Sequence, residues 1–215
     1  MFTNVKSTIR HIVPSNIEGR SLLKVVYVLL EPQYQSTLSS AVRAINRNNP
    51  KIAIEISGYL IEELRDKDNY EDFQRDLAEA NIFIASLIFI EDLADKVVEA
   101  VKPHRDRLDA AIIFPSMPQV MRLNKLGSFS MANLGQSKSA IAQFMRNRKK
   151  KSGSSFQDSM LKLLRTLPKV LKYMPMDKAQ DARNFMLGFQ YWLGVREIIC
   201  KTFSSCWRIS TFSRI

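Results

Sequence analysis

The side chains able to do chemistry are few, and their spacing sets how much can be asked of each. Glu91 and Asp92 adjoin where an apolar run gives way to a helical pattern. Two carboxylates so placed can act as a general acid/base couple or hold a hard cation through oxygen. Acids in a first helical turn also complement the dipole, and that is the plainer reading of the pair. Ser116 follows another apolar run, inside Pro115-Ser116-Met117-Pro118. A nucleophilic serine at a strand end sits in a Gly-x-Ser-x-Gly elbow, which this segment lacks, so a capped turn is the better reading. His11 and His104 are far apart, with no cysteine beside either, so the inventory supplies no His/Cys metal site. Each reads as a lone surface histidine.

Anion recognition has two candidates. A phosphate-gripping turn needs closely spaced glycines, so that backbone N–H groups can approach the anion. The first apolar run is instead followed by Glu31-Pro32-Gln33-Tyr34-Gln35-Ser36, which disfavours dinucleotide-binding or P-loop chemistry. The second candidate is charge. The net charge is +11 and uneven: from Arg122 to Lys172 the sole acid is Asp158, whereas Glu55 to Asp109 is acidic or balanced. Arg146, Arg148, Lys149, Lys150 and Lys151 are the densest part. They suit an anionic partner: an acidic protein surface, ligand carboxylates or nucleic acid. Beside Ser152-Gly153-Ser154-Ser155 the same run reads equally as a solvated linker. Nucleic acid would call for interleaved aromatics or a helix-turn-helix, and neither is evident.

The elements that must position these groups follow from periodicity. Leu22 to Leu30 is an apolar, β-branched-rich run that predicts a strand buried on both faces. Ser36 or Thr37 then caps a helix with Leu38, Ala41, Val42 and Ile45 on one side, stopped at Asn48-Asn49-Pro50. Ile52, Ile54 and Ile56 alternate with polar or small residues, which predicts a half-exposed strand ended by Gly58. A helical stretch from about Ile61 breaks near Asp66–Asn69 and resumes through Phe73 and Leu77. Asn81 to Phe89 is the third strand, Glu91 to Val101 a helix, Leu108 to Phe114 the fourth strand and Gln119 to Leu126 a further helix. This alternation predicts an α/β fold with a Rossmann-like or flavodoxin-like parallel sheet of about four strands. The strand ends, where such sheets bind ligands, offer Glu31, Gly58 with Tyr59, Glu91 with Asp92, and Ser116.

After about Gly127 the strand signal stops. Helices are predicted over Lys138–Arg148 and Phe156–Met174, the second interrupted by Pro168, with a last one from an Asp177 cap. That last helix carries Phe185, Met186, Phe189 and Trp192 on its apolar face, as core or as a face for other chain. The expected organisation is an α/β domain over 1–130, a basic helical extension over 131–195 and a tail over 196–215. With 215 residues, 46% hydrophobic and 25% charged, the chain has the composition of a folded protein. The longest apolar run, Ile82 to Ile90, is too short to span a bilayer, so no transmembrane segment is expected. Cys200 and Cys206 both fall in the last sixteen residues, which removes a disulfide framework and fits a reducing compartment.

Several long segments carry a resemblance. They are Leu23–Glu31, Gly58–Asp66, Ala80–Lys96, Asp109–Phe129, Gln136–Met145 and Asp181–Gly194. Together they resemble the N-terminal region of the large H subunit of magnesium chelatase, within the cobaltochelatase large-subunit superfamily. The resemblance implies the porphyrin-binding component that receives protoporphyrin IX and Mg²⁺. ATPase-type partner subunits use ATP to drive insertion of the metal, the committed step toward chlorophyll, and a small porphyrin-binding accessory protein assists. It implies no catalytic residue at any position of this chain, because metal insertion belongs to the larger downstream part. The fragment alone is expected to bind no cofactor and to be inert. The opening Met1–Ser7 lacks a signal-peptide core and is too short for a plastid transit peptide. A cyanobacterial, cytoplasmic form is therefore expected rather than a plant one in the plastid stroma.

The resemblance stops at about Val195. If the codons from Ser204 on are TCC TCA TGC TGG CGG ATA AGT ACG TTT, a shifted frame reads Leu-Met-Leu-Ala-Asp-Lys-Tyr-Val, the family's continuation. The expectation is a frameshift just after Gly194, with 196–215 read out of frame and the protein truncated. The alternatives are a self-standing basic α/β module for an acidic or tetrapyrrole ligand, and a basic nucleic-acid-associated protein.

Overall fold

The structure, a computed structural model, describes residues 11–127, 129–130, 180, 181, 183–185, 187, 188 and 192. Four parallel strands form the centre of the sheet: β2 (Ser21–Leu29), β3 (Ile52–Leu60), β4 (Ile82–Ser86) and β5 (Ala110–Ile113). Three two-residue strands complete it: β1 (His11–Ile12), β6 (Lys125–Leu126) and β7 (Phe129–Ser130), all antiparallel to their neighbours. The order across the seven strands is β1-β3-β2-β4-β5-β6-β7. Taken alone, the parallel strands follow the flavodoxin-like order 2-1-3-4. The expected α/β class with four parallel strands is the observed one; the three short flanking strands had no signal in the sequence.

The side-chain period of a strand explains the two cores. Val26 and Val28 of β2 point to one face, with Phe83 and Ala85 of β4 and Ala111 and Ile113 of β5. That face is covered by α2 (Lys67–Glu79), α3 (Glu91–Val101) and the single turn α4 (Pro118–Met121), through Phe73, Leu77, Leu93, Val97 and Val120. Val25, Tyr27 and Leu29 point to the other face, with Ile54, Ile56, Ile82, Ile84 and Ala110. Leu38 and Val42 of α1 (Gln33–Asn48) cover part of it. Phe185 and Trp192 cover more, and the described residues from 180 to 192 are helical. The aromatic face expected of that last helix is thus seated in the sheet's own core at both positions described. The helices expected over 138–148 and 156–174 lie outside the described residues.

Several boundaries differ from the periodicity, each for a local reason. β3 runs through Gly58 to Leu60 instead of ending there, and Ala53, Ile54, Ile56 and Ser57 are all buried. It is not half-exposed, since both of its faces meet a core: Ile54 and Ile56 pack with Leu38 and Val42 of α1 on one, and Tyr59 packs against the other, while Glu55 stays half-buried. Gly58 is needed because Tyr27 lies opposite it: a Cβ at 58 would sit 2.0 Å from Tyr27 Cζ. β4 stops at Ser86, since Leu87 turns to φ 61° and interrupts the ladder. α1 starts at Gln33 behind Pro32 and has no side-chain cap, so Ser36 and Thr37 lie inside the helix. The stretch after β3 is a 3-10 turn, Ile61–Arg65, and Asp66 caps α2 by accepting from Asn69 N–H at 3.0 Å. The helix expected over 119–126 is one turn only, because Asn124 instead extends the sheet. Its buried side chain exchanges two hydrogen bonds with Ile113, accepting from N–H at 2.8 Å and donating to the carbonyl at 3.0 Å.

Candidate functional site

In an open parallel sheet, ligands sit beyond the carboxyl ends of the strands, where neighbouring connections leave in opposite directions. Here that switch point lies between β2 and β4, which are in register from Val25↔Ile82 to Leu29↔Ser86. β2 leads into α1 on one face, while β4 leads into α3 on the other. The crevice between them is filled by Trp192. Its indole N–H donates to Ser86 Oγ at 2.8 Å. The ring stacks on Phe114 (centroids 4.2 Å apart, planes 7° apart) and on Tyr34 (5.3 Å, 10°). Trp192 is 3% exposed and Ser86 is buried. Tyr34 belongs to the first turn of α1, and Phe114 follows β5 directly.

The surroundings of this ring have further features. Leu87, immediately after Ser86, holds a left-handed φ of 61°, a sparsely populated conformation for a leucine. Its N–H donates to Pro115 O at 2.9 Å, which fixes the turn against the end of β5. Gln35, next to Tyr34, is 6% exposed, and its Nε2 has no hydrogen-bond partner. Leu30 and Phe89, just beyond β2 and β4, are large apolar side chains left exposed.

The residues singled out by sequence are placed in structural roles. Ser116 is fully buried, and its Oγ accepts from Ile88 N–H at 3.2 Å, the role of a capped turn. Asp92 is exposed and pairs with Arg65 Nη1 at 2.6 Å, while Arg65 Nε holds Glu62 at 2.7 Å. The hydrogen bond from Arg65, with its charge, holds the Asp92 carboxyl below the usual range. Glu91 is exposed in the same first turn. Tyr59 lies within β3, and its hydroxyl donates to Asp76 Oδ2 at 2.7 Å. Burial, with that carboxylate second, pushes the Tyr59 phenol well above its ordinary range. Glu31 is half-buried after β2. His11 Nδ1 lies 3.0 Å from Ser57 Oγ on the β1 edge, and His104 is half-buried beyond α3.

Among the described residues, no group of three or more His, Cys, Asp or Glu is placed to hold a metal ion. No described helix is long and apolar enough to cross a membrane. Arg146, Arg148, Lys149, Lys150 and Lys151, like Cys200 and Cys206, lie outside the described residues. What sequence reasoning missed is the cluster of Ser86, Tyr34, Phe114 and Trp192. Only the aromatic–polar mixture after the first strand and the lone tryptophan of the last helical pattern hinted at it.

The order of the parallel strands and the filled crevice define a doubly wound α/β domain whose switch point is occupied from within. Residues 24–186 match the family described as "Domain of unknown function (DUF3479)", and the chain belongs to that family. It is 58% identical over 199 residues to the protein named Magnesium-chelatase subunit ChlH, chloroplastic, of Oryza sativa subsp. indica, covering 90% of this chain and 14% of that relative. The magnesium-chelatase H subunit of Cereibacter sphaeroides is 36% identical over 118 residues, 55% of this chain and 10% of the relative. The H subunit of Rhodobacter capsulatus matches at the same identity and length. The resemblance to the H subunit therefore holds across most of the chain. The chain spans about one seventh of the rice relative's length.

Proposed function

We propose that this chain is the N-terminal α/β part of the porphyrin-binding H subunit of a magnesium chelatase, and that it serves that subunit without contributing a catalytic group. The observation that carries this is 58% identity to a rice magnesium-chelatase subunit over 90% of the chain. In this reading protoporphyrin IX and Mg²⁺ are substrates of the whole enzyme, and ATP is consumed by partner ATPase-type subunits. The product feeds chlorophyll synthesis, and a porphyrin-binding accessory protein assists. The site is the plastid stroma in a plant or the cytoplasm in a cyanobacterium. A supporting role rather than a catalytic one is favoured because Asp92 is engaged with Arg65 and Ser116 with Ile88 N–H.

The test is reconstitution. A rice H subunit whose matched region is replaced by residues 24–186 of this chain is expected to insert Mg²⁺ with partner subunits, ATP and protoporphyrin IX, followed by product fluorescence. The chain alone under the same conditions is expected to yield none. A folded but inactive chimera, or metal insertion by the chain alone, would sink the reading.

The basic run favours a second, compatible role in docking porphyrin carboxylates or acidic partner surfaces. Charge reversal at Arg146, Arg148 and Lys149–Lys151 in the intact protein is expected to weaken one of these affinities. Unchanged affinity for both porphyrin and partners would remove it.

A further inference from the structure

Two large apolar side chains stand in water at the carboxyl edge of the sheet. Leu30 follows β2 directly and is 37% exposed; Phe89 lies between β4 and α3 and is 46% exposed. The last residues of these strands, Leu29 and Ser86, are paired in register, so the two chains leave the sheet at neighbouring strand ends. A singly exposed apolar residue is ordinary, but apolar side chains grouped at one edge mark a surface that meets other protein. Leu87, Ile90 and Met117, in the connections after β4 and β5, are half-buried and add to the apolar character of this edge.

The backbone fixes Phe89 in its outward place. Leu87 holds a left-handed φ of 61°, which persists in a leucine only where the surroundings impose it. Three hydrogen bonds tie the segment down. Leu87 N–H donates to Pro115 O at 2.9 Å, Ile88 N–H to Ser116 Oγ at 3.2 Å, and Met117 N–H to Ile88 O at 2.8 Å. Ile88 is thereby buried in the core, and Phe89, the next residue, is left outside it.

The size of the patch and the length of the relatives decide what covers it. A stable interface between separate proteins buries about 800 Å² on each partner. A phenylalanine contributes only about 150–250 Å² even when wholly covered, so Leu30 and Phe89 are too small a seat for a free chain. A segment of the same polypeptide needs less area, because the covalent link raises its effective concentration. The chain spans 14% of the rice relative, so most of that relative's length lies outside the matched region. We propose that the carboxyl edge around Leu30 and Phe89 seats an apolar segment from the downstream part of the same subunit. This rests on the chelatase reading above, which supplies the longer polypeptide.

Hydroxyl-radical footprinting reads the exposure of Phe89 without a substitution. It is applied to this chain and to the rice H subunit carrying residues 24–186 of this chain. Oxidation of Phe89 is expected to fall about fivefold or more in the chimera, as 46% exposure gives way to that of a core residue. Leu30→Ser combined with Phe89→Ser, both at exposed positions, is expected to leave the urea midpoint of the chain alone unchanged. In the chimera the same pair is expected to speed proteolysis at the junction with the downstream part about tenfold, since cutting follows the open population. Magnesium insertion by the chimera reports separately on the chelatase reading: its loss sinks that reading and this proposal with it. Intact insertion with Phe89 oxidised as in the chain alone overturns this proposal only. Low oxidation in the chain alone, or protection that appears only when partner subunits are added, would also overturn it, because the occupant would then be a different one.

Discussion

The hydrogen bond from Trp192 to Ser86 allows a quantitative check on how the last helix is held. Both residues are buried, the bond is 2.8 Å long, and 106 positions separate them in sequence. Ser86→Ala removes the acceptor and leaves the indole N–H buried without a partner, which costs about 1–3 kcal/mol. Trp192→Phe removes the donor but keeps a ring to stack on Tyr34 and Phe114, and the Ser86 hydroxyl is free to rotate. Trp192→Ala also forfeits the ring's burial and both stacks, an expected loss of about 3–5 kcal/mol. With a urea slope of about 2 kcal/mol/M, Ser86→Ala should lower the unfolding midpoint by roughly 0.5–1.5 M without changing the slope. In the double-mutant cycle, adding Trp192→Phe to Ser86→Ala should cost less than in the parent. The coupling should be about 0.5–1.5 kcal/mol, the net worth of one hydrogen bond. Additive effects, or a Ser86→Ala midpoint equal to the parent's, would refute the placement of Trp192 at the switch point.

Three further outcomes are expected. Gly58→Ala should destabilise by about 1–3 kcal/mol or more, since its Cβ would lie 2.0 Å from Tyr27 Cζ and 2.1 Å from its hydroxyl. Because the ring itself is struck, Tyr27→Phe should not relieve the loss in a thermal melt, whereas Tyr27→Val should recover part of it. The Tyr59 phenol, raised by burial and by Asp76, makes stability full below its unfolded value of 10.0 and declining as pH rises above it. Tyr59→Phe should flatten that alkaline decline in urea titrations and cost about 1 kcal/mol at neutral pH; an unchanged slope would contradict the assignment. Sequencing the gene across Gly194 is expected to show the family's continuation in a shifted frame, and in-frame codons with no such match would end that reading.

Much of this fold was legible because the strands are buried on both faces and the helices on one. Leu22–Leu30 lacks alternation, and it became the central strand, paired on both sides. Glu91–Val101 was predicted to the residue, because its acids mark the first turn and Pro103 follows its end. Errors arose where a long-range contact overrode the local signal. Gly58 read as a strand end, but it is the space in which Tyr27 lies. Asn124 read as helical, but its amide serves as an extra strand residue for Ile113. The candidate site was legible only in pieces. Tyr34 lay in the break after the first predicted strand and Ser86 inside the third, and nothing local linked either to a residue as distant in sequence as Trp192.

The topology itself nonetheless required such a partner. A parallel sheet exposes two apolar faces, and each must be covered. α2, α3 and α4 cover the face of Val26, Phe83 and Ala111. On the other face α1 packs chiefly beside β3, leaving Ile82, Ile84, Ala110 and Phe114 to be covered by later chain. The helix bearing Phe185 and Trp192 meets that demand, and Asp181 lies over Gly127, whose lack of a Cβ leaves room for it: a Cβ there would sit 2.5 Å from Asp181 Oδ2. Once laid along that face toward the carboxyl edge, the helix brings its last described residue to the switch point. A large planar side chain there fills the bay, where a smaller one would leave a void beside Tyr34 and Phe114. Covering the sheet and filling the switch point are thus one structural act, so the loss of the Trp192 ring would also begin to uncover the core.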